Sequence, residues 1–247
     1  MHNSNKFALL KEYTDRIGCI YGTEDFAVYL YSIVKMQKPI NVIELGTGLG
    51  TTMLWLALAL QENNQGKLYT VDDGSAWQDL QQAQKLMGSY YRENYDDYVD
   101  NLLQTFDLTN VEFYNEHISE LNIDNIDLIF SDFAHSVFDI TKLLATYLPR
   151  MRTDSQTKIM FDSASTYFNS YQALNNIVEL LNQNKIPKTL LELTTTESRN
   201  KLIELVNSST FTLEHVIENK NRSQNSTACL TIAPADIFPY PRSNIRF

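Results

Sequence analysis

The sequence predicts an α/β protein built on a doubly wound, mostly parallel sheet of seven strands that an antiparallel hairpin closes. Three observations carry that prediction. The stretch 41–60 runs strand, turn, helix, with Val42-Ile43-Glu44-Leu45 as the strand and Gly46, Gly48 and Gly50 in the turn. Four more short apolar runs follow, spaced by helical stretches, and this alternation is the mark of a parallel sheet. Near the end, 211–217 and 227–233 flank a polar loop and read as the closing hairpin.

Taken in order, residues 1–22 open polar, with a short helix expected at 6–16 and a loop at Gly18 and Gly22. Thr23 followed by Glu24 and Asp25 starts a helix with acids in its first turn. Phe26, Tyr29, Leu30, Ile33 and Val34 share one face of it, and Pro39 ends it. After the glycines, Thr51 or Thr52 is placed to cap a helix that is apolar nearly all round, through Met53, Leu54, Trp55, Leu56, Leu58 and Leu60. Such a helix is covered on more than one side. The sheet covers one side; the helix at 24–37, or a second copy of the chain in a homodimer, covers the other. Trp55 is then core.

Gly66 leads into a second strand at 67–71, which ends in Asp72-Asp73-Gly74. Residues 75–106 exceed what one crossover needs. The linking helix is expected at 96–106, which leaves 75–95 as an insertion beside the ligand edge. Its aromatics, Trp77, Tyr90, Tyr91 and Tyr95, suit either a lid over a substrate or an ordinary helical hairpin. Strands three, four and five are expected at 111–115, 126–132 and 158–163, with helices at 136–149, closed by Pro149, and at 169–184. Pro187 and a helix at 196–207 make 185–209 a second insertion. No repeat or boundary divides the chain, so 1–247 reads as a single domain, with 1–38 as its N-terminal helices.

Composition narrows the partners. A net charge of -10 and a pI near 4.8 argue against a nucleic-acid backbone or an anionic membrane as partner. Residues 1–13 lack the apolar core of a signal peptide, and 53–60 is too short to span a bilayer. A cytoplasmic location is expected. Cys19 and Cys229 form no C-x-x-C pair and suit two thiols in a reducing compartment.

The chemistry concentrates on the glycine turn. A dinucleotide-binding G-x-G-x-x-G would place its third glycine at position 51, which is Thr51. A carboxylate at Glu44, two residues before the first glycine, suits a cationic ligand better than a pyrophosphate. Asp72, just past the second strand, is placed to accept hydrogen bonds from both ribose hydroxyls of a nucleoside, with Asp73 as an alternative.

The run E-x-G-x-G-x-G, Glu44 to Gly50, resembles motif I of the class I S-adenosylmethionine-dependent methyltransferases. The order of elements over 24–233 resembles their Rossmann-like fold. The approach to the motif looks most like the small-molecule O-methyltransferases of the catechol and bacterial sugar-modifying types. The resemblance implies methyl transfer from S-adenosylmethionine to a small-molecule acceptor, at a hydroxyl oxygen. It implies that Glu44, Gly46, Thr47 and Gly48 line the methionine part of the cofactor, Asp72 the ribose, and His117 and Ile118 the adenine. Metal-dependent relatives carry an Asp after strand four and a pair of acids or an acid and an amide after strand five. Asp132 and Asp162 match the first position of each and offer two carboxylates to a divalent ion such as magnesium. Ala134 and Ser163 replace further ligands, which weighs against the metal. His135 keeps the histidine of the sugar-modifying D-x-D-H, so His135 and Asp132 are the candidate catalytic residues, His135 as general base. Two other activities compete: an aminopropyltransferase, whose D-x-x-D would need an acid at His135, and a non-catalytic module that only binds the cofactor.

Overall fold

The helix after the glycine turn is so apolar that the elements around it are dictated by the need to bury it. The computed structural model describes residues 3–21, 24–77, 87–116, 121–133, 135–164, 168–218 and 226–235. The chain divides into two compact units, Met1–Ser119 and Glu120–Phe247. Their strands form one seven-stranded sheet in the order β3-β2-β1-β4-β5-β7-β6.

In the first unit, helices α1 (Asn3–Tyr21) and α2 (Glu24–Gln37) precede β1 (Asn41–Leu45) and α3 (Thr51–Glu62). All eight residues from Met53 to Leu60 are buried. Both α1 and α2 pack on α3. Each large side chain buried this way contributes about 1.5–3 kcal/mol. Trp55 is fully buried, edge-on to Phe7 and Tyr31, and its indole N–H donates to the Thr14 hydroxyl at 2.8 Å. The expected short helix at 6–16 is therefore too short. α1 continues through Gly18, because Leu10, Tyr13 and Ile17 form one buried stripe that outweighs the roughly 1 kcal/mol cost of a helical glycine. Buried Lys6 on the same helix pairs with Asp107 at 2.7 Å.

β2 (Lys67–Val71) pairs in parallel with β1, setting Glu44 opposite Thr70 and Leu45 opposite Val71. Helix α4 (Tyr95–Thr105) begins one residue earlier than expected, because Asn94 caps it: its side-chain oxygen accepts from the amides of Asp96 at 2.8 Å and Asp97 at 3.4 Å. β3 (Val111–Tyr114) then pairs in parallel with β2. Residues 78–86 of the 75–95 stretch lie outside the described residues. Trp77 is buried against Tyr95 and Tyr98, stacks on Tyr91, and its indole donates to the Glu93 carbonyl.

In the second unit, β4 (Leu128–Ser131) is followed by α5 (Val137–Tyr147), then β5 (Thr157–Asp162), parallel to β4. Ser136 caps α5 in a reciprocal capping box with Asp139, so the helix starts where the sequence placed it. A single 3-10 turn at Leu148–Arg150 holds Pro149. Helices α6 (Phe168–Asn182), α7 (Lys188–Leu193) and α8 (Thr196–Ser208) follow. α7 and α8 fall within 185–209; α7 packs on α5 and α8 buries Leu202, Leu205 and Val206. β6 (Ser209–Glu218) and β7 (Ser226–Pro234) run antiparallel, with a bulge between His215 and Ile217, and β7 lies antiparallel to β5. Cys229 in β7 is a buried free thiol. Among the described residues, no helix is long and apolar enough to cross a membrane.

Candidate active site

The residues singled out by the sequence stand at or just past the carboxyl ends of β1, β2, β4 and β5, the end at which parallel sheets take ligands. In the first unit they form a connected cradle. The Gly46 amide donates to the Val71 carbonyl at 2.9 Å, which ties the start of the turn to the end of β2. Gly50 sits in the left-handed region with φ 75° and takes the N-cap position of α3 without a side-chain cap. The threonine caps expected here are displaced: Thr51 is already the first helical residue, and the Gly50 amide instead closes the turn on the Thr47 carbonyl at 2.8 Å.

Gly48 faces the opening. Its φ is 51°, and a Cβ built on it would meet no atom within 4 Å. A glycine with empty space where its side chain would point is what a ligand lying against the backbone requires. Asp72 locks this peptide from behind. Its Oδ2 accepts from the Gly48 amide at 2.8 Å and its Oδ1 from the Gly74 amide at 2.8 Å. A carboxylate has about four lone-pair sites, so each oxygen keeps capacity for a further donor.

Glu44 lies beneath the turn with no exposed surface. The Thr70 hydroxyl donates to its Oε2 at 2.5 Å, and the Thr47 and Thr70 hydroxyls are 2.6 Å apart. Since Thr70 spends its only proton on Glu44, Thr47 is the donor in the second bond. Among the described residues no basic side chain forms an ion pair with Glu44. Burial above all pushes its carboxyl pKa up to about 8; the hydrogen bond from Thr70 lowers it by less than burial raises it, the charge of Asp72 adds a smaller raise, and the Met53 amide a smaller lowering still. Glu44, Gly46, Thr47, Gly48 and Asp72 are thus brought together. His117 and Ile118 lie outside the described residues.

The second unit holds the other candidates. Asp132 and His135 are half-buried, directly after β4 and before the cap of α5. The Ser170 hydroxyl of α6, itself buried, donates to the His135 carbonyl at 2.6 Å and anchors that loop. Ala134 lies outside the described residues. Asp162 ends β5 with both oxygens engaged: Ser163 donates to Oδ2 at 3.0 Å and Thr227 to Oδ1 at 3.3 Å. Among the described residues, no group of three or more His, Cys, Asp or Glu side chains is arranged to hold a metal ion.

Several participants escaped the sequence reading. Thr70 could have been found by laying the ends of β1 and β2 side by side, which sets it opposite Glu44. Ser170, Thr227 and the tyrosines around the turn come from distant elements and carry no local signal.

Comparison with known proteins bears on the fold. Residues 43–164 match a family model described as a methyltransferase domain. No curated protein matches the sequence. Solved structures share the fold. The O-methyltransferase TomG from Streptomyces achromogenes, involved in tomaymycin synthesis and solved with SAM, is 14% identical with a TM-score of 0.51, over 93% of this chain and 89% of that one. The cofactor-bound Rv0187 from MTB is 13% identical with a TM-score of 0.53, over 92% and 88%. A methyltransferase from Geobacter sulfurreducens is 13% identical with a TM-score of 0.52, over 93% and 90%. At these identities the likeness is one of fold, and the fold is the Rossmann-like one expected.

Proposed function

We propose that the protein transfers the methyl group of S-adenosylmethionine to a hydroxyl oxygen of a small-molecule acceptor. The observation that carries this reading is the open face of Gly48, bounded by the buried acid Glu44 and by Asp72. A buried carboxyl with no cationic partner among the described residues suits a ligand that brings its own positive charge. The solved structures of TomG with SAM and of cofactor-bound Rv0187 support the choice of ligand.

On this reading Glu44, Gly46, Thr47 and Gly48 hold the methionine part, Asp72 the ribose, and His117 and Ile118 the adenine. When bound, the cofactor supplies a methyl group already activated by a positive sulfur. The protein's own residues do the rest. Asp72, oriented by two backbone amides, presents its remaining lone pairs to the ribose hydroxyls. Ser170 steadies the loop that carries His135. A neutral His135 takes the proton of the acceptor hydroxyl, with Asp132 beside it in sequence to orient the acceptor or the imidazole. The exposed side chains of Phe133, Val137 and Phe138 flank His135 in sequence and suit an acceptor with an apolar or aromatic body. Ala134 and Ser163 stand where metal-dependent relatives carry further ligands, so no step of this reading is routed through a divalent metal.

Thermal melting with S-adenosylhomocysteine and with NAD tests the proposal. S-adenosylhomocysteine at about a hundred times its dissociation constant should stabilise the protein by roughly 2.7 kcal/mol. Stabilisation by NAD alone would overturn it.

A further inference from the structure

Tyrosines of α4 and of α1 converge on the glycine turn. The Tyr95 hydroxyl donates to the Gly48 carbonyl at 2.8 Å. The Tyr98 and Tyr13 hydroxyls lie 3.0 and 2.8 Å from the Leu49 carbonyl and 2.5 Å from each other. With one proton each, one of this pair donates to the carbonyl and the other donates either to it or to its partner's oxygen. Gly48 is therefore held through both of its flanking peptides, its N–H by Asp72 and its C=O by Tyr95.

Tyr95 cannot easily swing away. Its ring sits against Trp77 at 5.2 Å, edge-on to Phe113 at 5.7 Å, and parallel to Tyr98 at 6.4 Å, and it is 7% exposed. Burial, followed by the charges of Asp72 and Glu44, drives its pKa far up, so the phenol keeps its proton and remains a donor.

We infer that Tyr95 is a positioning residue for the cofactor, holding the Gly48 peptide in the left-handed turn that the ligand meets. This rests on the reading of the turn as the cofactor cradle. Tyr95 touches the ligand nowhere in the argument; it acts through the fraction of molecules whose turn is ready to bind. Apparent affinity falls in proportion as that fraction falls. Loss of one such hydrogen bond corresponds to about a three- to tenfold change in an equilibrium.

The test is Tyr95→Phe, which removes the hydroxyl and keeps the packed ring. Two readouts are taken on the full chain. Hydrogen exchange of the ligand-free protein follows the Gly50 amide, whose bond to Thr47 closes the turn. Titration calorimetry gives the dissociation constant for S-adenosylhomocysteine well below the melting temperature. The expected result is faster exchange at Gly50 and a three- to tenfold weaker affinity, with melting nearly unchanged. Val99→Ala, a fully buried truncation on the same helix, should do the reverse: lower melting and the same affinity. Unchanged exchange and affinity in Tyr95→Phe, or an affinity loss that Val99→Ala matches, would overturn the inference. Failure of the wild-type protein to bind S-adenosylhomocysteine would instead overturn the function proposed above, while the exchange of Gly50 would still show whether Tyr95 holds the turn.

Discussion

Replacing Glu44 by Gln removes a titrating group from the bottom of the cradle and should change how stability and binding depend on pH. Burial raises the folded-state pKa of Glu44 to about 8. The unfolded chain loses that proton near the ordinary carboxylate value, about 4.3. Between those values the folded state binds more protons than the unfolded one, so stability falls as pH rises, by up to about 1.4 kcal/mol per pH unit from this group alone. The effect is complete above the folded pKa. A cationic ligand favours the ionised carboxylate and must expel the proton when it binds below pH 8. Affinity should therefore rise by up to about tenfold per pH unit toward pH 8 and level off beyond it. Titration calorimetry with S-adenosylmethionine from pH 6 to 9, repeated in two buffers of different ionisation enthalpy, reads both the affinity and the proton released. The wild-type protein should release close to one proton at pH 6.5, and Glu44→Gln should release none and bind with little pH dependence. The same pH profile in both proteins would refute the reasoning, because the titrating group would then lie elsewhere.

Other outcomes are equally open to measurement. His135→Ala should lower turnover by about 10²–10⁴ while leaving the affinity for S-adenosylhomocysteine unchanged; near-normal turnover by the folded variant would remove His135 from the mechanism. Exhaustive chelation should leave methyl transfer intact, since Ala134 and Ser163 replace further metal ligands; loss of activity that magnesium restores would assign Asp132 and Asp162 to a metal. Trp55→Ala should cost about 3–5 kcal/mol of stability, read by denaturant unfolding, because the ring is fully buried and its N–H is bonded.

The glycine turn was legible because its signals are contiguous: strand, acid, glycines and helix lie within twenty residues. The parallel strands and the closing hairpin followed from the alternation of apolar runs; the order of the strands in the sheet did not. The errors were local competitions. Gly18 reads as a helix breaker, yet the stripe Leu10, Tyr13 and Ile17 carries α1 past it. Thr51 reads as a cap, yet the turn needs a left-handed residue there and Gly50 supplies it. What stayed hidden was long-range. Nothing near Tyr95 or Tyr13 in sequence says that each will reach a carbonyl of the turn, 47 and 36 positions away. Those bonds exist only once the helices have docked, and a pattern of periodicity contains no information about where a hydroxyl will land.

The central claim, that the face of Gly48 receives the cofactor, is tested most directly by Gly48→Ala. The new methyl group would meet no protein atom, so the fold should survive with only the roughly 1–2 kcal/mol cost of a left-handed alanine. It would occupy the space assigned to the ligand. Calorimetry should show S-adenosylhomocysteine bound by the wild-type protein and binding lost, by a hundredfold or more, in a variant that still melts cooperatively. A folded Gly48→Ala protein that binds S-adenosylhomocysteine as tightly as the wild type would contradict the account.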